Sequence, residues 1–389
     1  MATIVFPLAG FGSRFQSAGY TQTKPLIHAG HKTIIEWSLE TIKCNPADIV
    51  FVIRKDQSII NGLGPFLRKI CPEARIVELD SPTNGSLETV LRGLAQIDIE
   101  LDQPLYIHTS DLVIPQPVTL NDGFIDGSEA ITFTFKANNP SYSYCENSLS
   151  DSSRVTKVIE KQVVSQIANV GIYGFRSASR FLHYAQRVIS GKEISEGEFY
   201  VSSVFAKYIH DDFVVTHLPV DEVHVVGTPR ELEFFTQYVI PTMNPRSIGF
   251  VSDHSGFQLK EELLELFKSN DFTCVDYGCF SKRDCDYSDY VPTACRSLAV
   301  NEVDLVIGLC ASGQGVNITA NHHEKVISVV PPDIESLIIS RRHNSPNFIS
   351  VASSRWTARG FYEGFREAYY DSHFEGGRHS LRLQKVFLG

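Results

Sequence analysis

Short apolar runs alternate with helical stretches along most of this chain, and that alternation limits the folds open to it. Residues 3–8, 49–53 and 104–109 have the composition of buried strands, whereas residues 33–43 and 86–97 have that of helices. Strands that alternate with helices form a mainly parallel sheet covered on both faces. The first half is therefore predicted to be an α/β domain, with a more irregular region at 140–230.

The alternation restarts after PTMNPR at 241–246, where two prolines and an asparagine predict a linker. Strands are predicted at 247–252, 272–276, 303–309 and 325–330, and helices near 256–269, 288–300, 313–320, 333–342 and 358–371. The second half is thus predicted to be a three-layer α/β domain on a five-stranded parallel sheet with helices on both faces. We expect two doubly wound domains, 1–240 and 247–389.

The charge balance and cysteine pattern exclude several classes of protein. The 389 residues carry a formal charge of −10, and a nucleic-acid binder would need a basic surface. No run of about 18 apolar residues predicts a membrane helix, and the first residues lack the basic and apolar segments of a signal peptide. The eight cysteines include no C-x-x-C pair, which is typical of reduced cytoplasmic thiols. We expect a cytoplasmic protein with no nucleic-acid partner and no membrane insertion.

A glycine-bearing loop with nearby cations follows the first strand. Gly10 and Gly12 in LAGFGSR leave backbone N–H groups open to an anion, and Arg14 and Lys24 lie near them in the chain. The spacing is neither that of a P-loop nor G-x-G-x-x-G. A phosphate-binding loop and a simple tight turn both remain open on these residues alone.

Further motifs follow in a fixed order: SPTNGSLETVL, HTSDLVI, VIEKQ, NVGIYGF, GEFYVSSVF and VVGTPRELEFF. Together with PLAGFGSRF and TKPLI, they resemble the nucleotidyltransferases that activate sugar phosphates, which have a glycosyltransferase-A-like fold. The resemblance covers about residues 1–240. It implies a mixed sheet and transfer of a nucleotidyl group from a nucleoside triphosphate to a sugar or polyol phosphate, with release of pyrophosphate.

The resemblance also implies roles for individual residues. Gly10, Gly12 and Ser13 would hold phosphates, while Arg14 and Lys24 would offset the charge of the triphosphate and of pyrophosphate. The other implied residues are Gly85 in the base loop, Asp111 as the Mg²⁺ ligand, Glu160 and Lys161 at the acceptor phosphate, Gly171 on the sugar side, and Glu198.

Two of these residues have simpler interpretations, and the pattern departs from the family at one position. Asp111 could be a strand-end turn residue, and Lys161 a solvated surface lysine. Several relatives carry a second metal-binding Asp just before the last G-T, where this chain has Val226, and Asp221 is out of register.

A cysteine leads into a second glycine turn in the other half. Cys310 precedes Ser312, Gly313 and Gly315 at the predicted start of a helix. The free N–H groups of a helix start favour a thiolate and can hold an oxyanion. A base beside an oxyanion site suits proton abstraction next to a carbonyl, although a lone cysteine after a strand is more often a core residue.

Five motifs accompany this turn in order: SDHSGF, DYSDY, CASGQG, RRHN and FEGGRH. They resemble the type B ribose-5-phosphate isomerases and the related galactose-6-phosphate isomerases over about 247–386. The resemblance implies aldose–ketose isomerisation through a cis-enediol without a metal or other cofactor. It also implies a homodimer or higher homo-oligomer through the C-terminal domain, since this family builds each active site from two subunits.

The implied roles are a base, a ring-opening group and a set of sugar-phosphate ligands. Cys310 would be the base, His343 would assist ring opening, and the amides of 311–315 would stabilise the enediolate. The implied substrate-binding residues are Asp253, His254, Tyr287, Ser312, Gly313, Gly315, Asn344, Arg378 and Arg382.

Three stretches depart from the isomerase pattern and leave two hypotheses open. Ser345 stands where the family commonly has Asp, 319–322 differ from its A-A-N-K segment, and Glu335 replaces a tyrosine. One hypothesis is a bifunctional enzyme that makes a nucleotide-activated sugar or polyol for a surface glycan. The other is a nucleotidyltransferase whose second half is a sugar-phosphate sensor and dimerisation module.

Overall fold

The structure of the chain, a computed structural model, describes residues 2–120, 124 and 127–387. It divides into two compact units, Met1–Leu232 and Glu233–Gly389. The division lies ahead of residue 240, where the first domain is predicted to end. The segment predicted as a linker, 241–246, begins inside the helix Ile240–Met243.

The first unit is built on a nine-stranded mixed sheet. In chain order, the strands of the described residues are β1 (Thr3–Pro7), β2 (His28–Ala29), β3 (Lys32–Thr33), β4 (Ile42–Lys43), β5 (Ile49–Arg54), β6 (Arg75–Leu79), β7 (Leu105–His108), β8 (Leu112–Val113), β9 (Val118–Thr119), β10 (Ala130–Lys136), β11 (Tyr144–Asn147), β12 (Arg154–Ile159), β13 (Ile167–Phe175), β14 (Val215–Pro219) and β15 (His224–Val225). The sheet order is β10-β14-β12-β11-β13-β7-β1-β5-β6, in which β7, β1, β5 and β6 are parallel and β13 is antiparallel to β7. The mixed sheet implied by the sequence is confirmed.

Helices cover both faces of this sheet. Those of the described residues are α1 (Ser13–Ser17), α2 (Ile34–Leu39), α3 (Lys55–Ile59), α4 (Leu63–Ile70), α5 (Ser86–Leu94), α6 (Ala178–Ser190), α7 (Ser202–His210) and α8 (Pro229–Phe234), with 3₁₀ turns at Lys24–Leu26 and Pro46–Asp48. Ile4 and Phe6 belong to one apolar cluster and Val5 to another. Successive side chains of a strand point to opposite faces, so both faces of the sheet are buried.

Residues 140–230 are not irregular, and this expectation was wrong. They supply β11–β15 together with α6 and α7. Several of these strands are short and pair antiparallel with their neighbours, so they lack the long apolar runs of a buried parallel strand.

The second unit contains a five-stranded sheet in the order β17-β16-β18-β20-β19. Its strands are β16 (Ser247–Ser252), β17 (Thr273–Asp276), β18 (Leu305–Cys310), β19 (Ser328–Val329) and β20 (Phe348–Ala352). Its helices in the described residues are α9 (Ile240–Met243), α10 (Phe257–Lys268), α11 (Tyr287–Ala299), α12 (Gln314–Asn321), α13 (Ile334–Asn344), α14 (Ala358–Arg366) and α15 (Gly377–Phe387), with π-helical turns at Phe235–Val239 and Glu367–Asp371.

All neighbours in this sheet are parallel, which confirms the predicted α/β class. Strand β20 has no counterpart among the predicted strands, yet it is fully buried beside β18. Within the described residues, every helix is too short or too polar to cross a bilayer.

Candidate active sites

The glycine loop, Lys24 and Asp111 meet at one edge of the first sheet. Strands β1 and β7 are parallel neighbours, so the segments that follow them emerge side by side. Gly12 has a left-handed φ of 65° and directly precedes α1; a Cβ there would lie 3.4 Å from Cβ of Lys24. The Lys24 ammonium forms an ion pair with the Asp111 carboxylate. Arg14 and Ser13 are exposed beside them on α1.

Two buried side chains that the sequence did not single out hold this loop in shape. Nη1 of Arg54 donates to the carbonyl oxygens of Ala9 (2.8 Å) and Gly10 (2.9 Å). The Gln57 amide donates to the carbonyl oxygens of Leu8 (3.2 Å) and Gly10 (3.3 Å). These hydrogen bonds fix the carbonyl oxygens of Leu8, Ala9 and Gly10 and so brace the loop. The signal for this role was the polar pair in RKDQ at the end of an otherwise apolar strand.

A second carboxylate lies near Asp111, but not at the position that the family pattern suggests. Val226 is buried, and its N–H donates to the Asp111 carbonyl oxygen at 2.8 Å. A Cβ on Gly227 would lie 3.4 Å from Oδ2 of Asp111 and 3.5 Å from Oε2 of Glu231. Burial raises the pKa of Glu231, the Asp111 carboxylate raises it further and Lys24 lowers it. Glu231 also accepts a hydrogen bond from the Thr228 hydroxyl at 3.0 Å.

The loop that carries Gly85 is joined to the segment that carries Glu198. Gly85 has a φ of 111°, and a Cβ there would lie 2.5 Å from the carbonyl oxygen of Phe199. The N–H of Phe199 donates to the carbonyl of Asn84 at 2.8 Å, and that of Leu87 donates to the carbonyl of Phe199 at 3.1 Å. Only glycine fits this contact. Glu198 itself is exposed.

Gly171 connects the antiparallel strand β13 to the segment that carries Asp111. It has a φ of 81°, and a Cβ there would lie 2.0 Å from Oγ1 of Thr109. The N–H of Thr109 donates to the Gly171 carbonyl at 2.9 Å. The glycine therefore allows the two backbones to approach closely just before Asp111.

Glu160 and Lys161 turn their charges in different directions. Oε2 of Glu160 accepts a hydrogen bond from the Ser202 hydroxyl at 2.5 Å, and burial raises the pKa of Glu160. Lys161 has a left-handed φ of 53°; its ammonium pairs with the exposed Glu196 and lies 5.0 Å from the Tyr200 ring centre. Lys161 is thus already bound to a carboxylate that an incoming anion would have to replace.

In the second unit, Asp253 follows β16 and Cys310 ends the adjacent strand β18. Ser252 of β16 is opposite Leu309 of β18, so the next residue of each strand lies at the same sheet edge. Oδ1 of Asp253 accepts the N–H of Gly256 at 2.9 Å at the start of α10. Cys310 is buried, 4% exposed, on the face covered by α11 and α12.

Glycines let the turn after Cys310 pack closely. Gly313 has a φ of 74° and directly precedes α12; a Cβ there would lie 3.1 Å from the N atom of Ala352. A Cβ on Gly315 would lie 2.3 Å from Cε1 of Tyr287, so the tyrosine lies against the first turn of α12. Ser312 is exposed, and its hydroxyl accepts the N–H of Gln314 at 3.3 Å.

His254 is oriented by the loop that precedes α11. Its Nδ1 donates to the carbonyl oxygen of Cys285 at 3.0 Å. This hydrogen bond raises the pKa of His254, and the negative charges of Asp253, Asp284 and Asp286 raise it further. Nε2 lies 3.9 Å from Oδ1 of the exposed Asp284, a carboxylate that an incoming phosphate would have to replace.

The remaining predicted isomerase residues form a second group. His343 and the exposed Asn344 are the last residues of α13, whereas Arg378 and Arg382 lie one turn apart on α15. Residues four apart on a helix lie on the same face, so the two guanidinium groups share one side of α15.

Glu375 and His379 link these two helices. The imidazoles of His343 and His379 are stacked with centres 4.4 Å apart, and Nε of Arg378 donates to Nε2 of His379 at 3.2 Å. Nη2 of Arg342 donates to Oε1 of Glu375 at 2.6 Å. Burial lowers the pKa of His379 to about 4, and the cationic neighbours add to this effect. The sequence carried both residues in FEGGRH, but nothing in one sequence places them against His343.

The stretches that depart from the isomerase pattern have structural roles. Ser345 is buried in a left-handed conformation that ends α13, and its hydroxyl accepts a 2.5 Å hydrogen bond from Arg341. In 319–322 the substituted residues are Thr319, whose hydroxyl donates to the Gly315 carbonyl oxygen at 3.0 Å, and His322, which is exposed at the end of α12. Glu335 is exposed in the first turn of α13. These substitutions are thus accommodated within the unit by local hydrogen bonds or solvent.

Within one chain, the predicted isomerase residues fall into two groups according to their hydrogen bonds and ion pairs. The first lies around Cys310, Asp253 and His254, and the second around His343 and Arg378. Among the described residues, no hydrogen bond or ion pair joins a member of one group to a member of the other.

Comparison with known proteins gives separate matches for the two units. Residues 248–386 match the Ribose/Galactose Isomerase family. Ribose-5-phosphate isomerase B of Escherichia coli (strain K12) is 30% identical over 141 residues, which are 36% of this chain and 94% of the relative. The solved ribose 5-phosphate isomerase of Thermotoga maritima is 27% identical with a TM-score of 0.35, covering 37% of this chain and 98% of that one.

The first unit is matched by a solved structure. A nucleoside-diphosphate-sugar pyrophosphorylase from Vibrio cholerae RC9 is 24% identical with a TM-score of 0.53, covering 60% of this chain and 100% of that one. At this identity the likeness establishes the fold alone. The chain thus joins a unit with the fold of the Vibrio pyrophosphorylase to a second unit through which it belongs to the Ribose/Galactose Isomerase family.

Proposed function

We propose that this protein is a bifunctional enzyme of nucleotide-sugar synthesis. The first unit transfers a nucleotidyl group from a nucleoside triphosphate to a sugar or polyol phosphate, and the second interconverts an aldose and a ketose phosphate. The observation that carries the proposal is the position of Cys310. It ends the central strand, beside Asp253 and directly before a glycine turn, in a unit that belongs to an isomerase family.

In the first unit, charge neutralisation and positioning carry the reaction. An oxygen of the acceptor phosphate attacks the α-phosphorus, and the bond to pyrophosphate breaks. Both reactants are anions, so Lys24 and Arg14 offset the charge of the triphosphate and of the leaving pyrophosphate. Lys161 exchanges Glu196 for the acceptor phosphate.

The carboxylate of Asp111 fits Mg²⁺, a hard cation that prefers oxygen ligands. Its side chain is 52% exposed and within reach of solvent, and Glu231 adds a second oxygen donor close behind it. When bound, Mg²⁺ would supply additional charge neutralisation at the phosphates. Lys24 would then turn from Asp111 to the triphosphate.

In the second unit, the thiolate of Cys310 removes the proton from C2 of the aldose phosphate and returns it to C1. The cis-enediolate between these steps is held by the N–H groups of residues 311–315. His343 moves the proton that opens the sugar ring, Asp253 and Asn344 bind hydroxyls, and Tyr287 lines the pocket. The phosphate is held by His254, Arg378 and Arg382.

A homodimer or higher oligomer would bring the two groups of isomerase residues together. Cys310 and His343 lie in groups that no described hydrogen bond or ion pair joins within one chain. A two-fold arrangement allows the first group of one subunit to face the second group of its partner. The proposed active site is therefore shared between subunits.

The two activities share a metabolite most simply if the transferase accepts a terminal phosphate. Isomerases of this family act on 5- or 6-phosphates, so a pentose or pentitol 5-phosphate acceptor would need no intervening mutase. A nucleotide-activated product of this kind would serve as a precursor for a surface glycan.

The test is a panel of four nucleoside triphosphates against pentose, hexose and polyol phosphates, scored by pyrophosphate release, with ribulose 5-phosphate assayed separately for isomerisation. We expect one triphosphate and one acceptor to stand out. Cys310→Ser should abolish isomerisation and leave transfer unchanged, whereas Cys274→Ser, which alters a thiol distant in sequence from both turns, should change neither.

Two outcomes would contradict this proposal. Transfer without isomerisation of any sugar phosphate would favour a sensor and dimerisation module in the second half. The protein could instead show both activities yet form no nucleotide-sugar product from ribulose 5-phosphate or its reduced form. That result would exclude a pathway that needs no mutase.

A further inference from the structure

Three potential metal ligands converge where α13 meets the start of α15. His343 is the penultimate residue of α13, Glu375 precedes α15, and His379 lies in the first turn of that helix. One ligand atom from each lies within 4.8 Å of the other two. In the part of the chain that the structure describes, this is the one group of three or more His, Cys, Asp or Glu residues with such spacing.

Both imidazoles approach the same carboxylate. Nε2 of His343 is 3.8 Å from Oε1 of Glu375, and Nε2 of His379 is 3.5 Å from Oε2. The rings are nearly parallel, with an interplanar angle of 6°, and the Nε2 atom of each ring faces Glu375. The side chains of His343 and Glu375 are 39% and 22% exposed, which leaves the group open to a solvated ion.

The chemistry of these ligands selects one class of cation. Two imidazoles and one carboxylate are a donor set for Zn²⁺ and similar divalent transition metals, whereas Mg²⁺ and Ca²⁺ prefer oxygen ligands. We propose that His343, Glu375 and His379 form a regulatory site for a divalent transition metal such as Zn²⁺, whose binding removes His343 from isomerisation. The regulatory part rests on the proposed function; the binding site does not.

Small rearrangements would complete this site. Zn²⁺ lies about 2.0–2.1 Å from imidazole nitrogen, whereas the ligand atoms now lie within 4.8 Å of one another, so they must move closer together. Arg342, now 2.6 Å from Oε1 of Glu375, would release the carboxylate, and its side chain is 50% exposed and able to swing into solvent. Nε of Arg378 would leave His379. The cation then replaces the arginine as the countercharge of Glu375.

The expected kinetic signature follows from which residue is bound. The metal occupies His343 but none of the proposed phosphate ligands. Turnover should therefore fall while the KM for the sugar phosphate changes little.

Binding is tested on the full chain after treatment with a chelator. Titration with Zn²⁺ by calorimetry, and with Co²⁺ by visible absorption, should give one site per chain. Glu375→Gln, which preserves shape, and His379→Ala should each weaken binding by at least about tenfold. His373→Ala removes a histidine from the same segment but outside the group, and it should bind as the wild type does. Wild-type affinity in both Glu375→Gln and His379→Ala, or no binding to the wild-type protein, would overturn the site.

Regulation is tested by assaying sugar-phosphate isomerisation with and without Zn²⁺. The kcat of the wild-type protein should fall and recover on addition of chelator, whereas Glu375→Gln should resist. Inhibition that persists in Glu375→Gln would place the metal elsewhere, for example on the Cys310 thiol. Zn²⁺ bound at the site with unchanged turnover would remove the regulatory part. A metal-free protein without isomerase activity would refute the proposed function, while the binding results would still decide the metal site.

Discussion

The contact between Lys24 and Asp111 is the feature of the first unit that most directly links structure to chemistry. The 3₁₀ turn at Lys24–Leu26 brings the lysine beside Gly12, while the end of β7 presents the carboxylate. During the proposed transfer, Lys24 would leave Asp111 and pair with the triphosphate. Asp111 would then pair with Mg²⁺ instead of Lys24.

We expect Lys24→Ala and Asp111→Ala to lower kcat/KM for pyrophosphate release by about 10²–10³-fold, as for the loss of one group that stabilises developing charge. Lys32→Ala is the matched control, because the Lys32 ammonium lies 2.7 Å from Glu40 and outside the proposed site. Near-normal rates in either test variant, measured with Mg²⁺ present, would contradict the role given to that residue.

As a proposed phosphate ligand, His254 would make phosphate binding in the second unit dependent on pH. Its hydrogen bond to the Cys285 carbonyl raises its pKa above the ordinary 6.5, so the imidazolium persists to a higher pH than that of a free histidine. The positive charge is present below the raised pKa and is lost as the pH climbs through it.

The KM for the sugar phosphate should therefore increase as the pH climbs through the raised pKa of His254, as measured by initial rates of isomerisation across the pH range. His254→Gln should have a higher KM at low pH and a flatter profile. The exposed His322 provides the control, since His322→Gln should retain the wild-type dependence. A wild-type profile in His254→Gln would exclude this histidine as a phosphate ligand.

At the level of elements, glycines determine how closely the loops of the first site approach one another. Gly85 lies just before α5 and meets the Phe199 backbone, while Gly171 lies in β13 and meets Thr109. Helix α5 and the segment leading into α7 are thereby held together around the proposed nucleotide site.

Gly85→Ala should reduce the free energy of unfolding of the first unit by about 2–4 kcal/mol, because it combines a strained φ with a steric clash against backbone. Gly62→Ala separates the two effects, since Gly62 has a φ of 73° and no atom lies within 4 Å of the place a Cβ would take; it should cost only about 1 kcal/mol. Urea unfolding followed by Trp37 fluorescence in a Trp356→Phe background measures the first unit. Equal losses in the two variants would show that the Phe199 contact costs nothing.

At the level of the whole molecule, the isomerase site that we propose would be completed by a second subunit. Cys310→Ser and His343→Ala should each be inactive in isomerisation. Mixed dimers that carry one chain of each kind contain one site with both native residues, so random mixing should restore about a quarter of the wild-type activity.

The control is a mixture of Cys310→Ser with Cys310→Ala, which should remain inactive. The activity of the first mixture should exceed the summed activities of the two variants assayed alone. If it does not, Cys310 and His343 of different subunits do not share a site. A sedimentation mass near 43.5 kDa, that of one chain, would contradict the dimer itself.

The sequence by itself determined the α/β class, the parallel five-stranded sheet and the order of the motifs. The spacing of apolar residues and the composition of a segment are local properties, so strands such as β1, β5 and β18 can be predicted from their apolar runs. The same local reading missed β20, because FISVA follows a helix and a proline without a long apolar run, and its burial comes from pairing with β18.

Only the tertiary structure decided which distant residues meet. The bracing of the glycine loop by Arg54 and Gln57, the approach of Glu231 to Asp111, and the contact of His379 with His343 join segments whose separation in the chain carries no signal of proximity. Their placement depends on strand order and helix packing, which are set by burial of the whole sheet rather than by any one segment. That is why the motifs could be recognised from the sequence, whereas their neighbours could not.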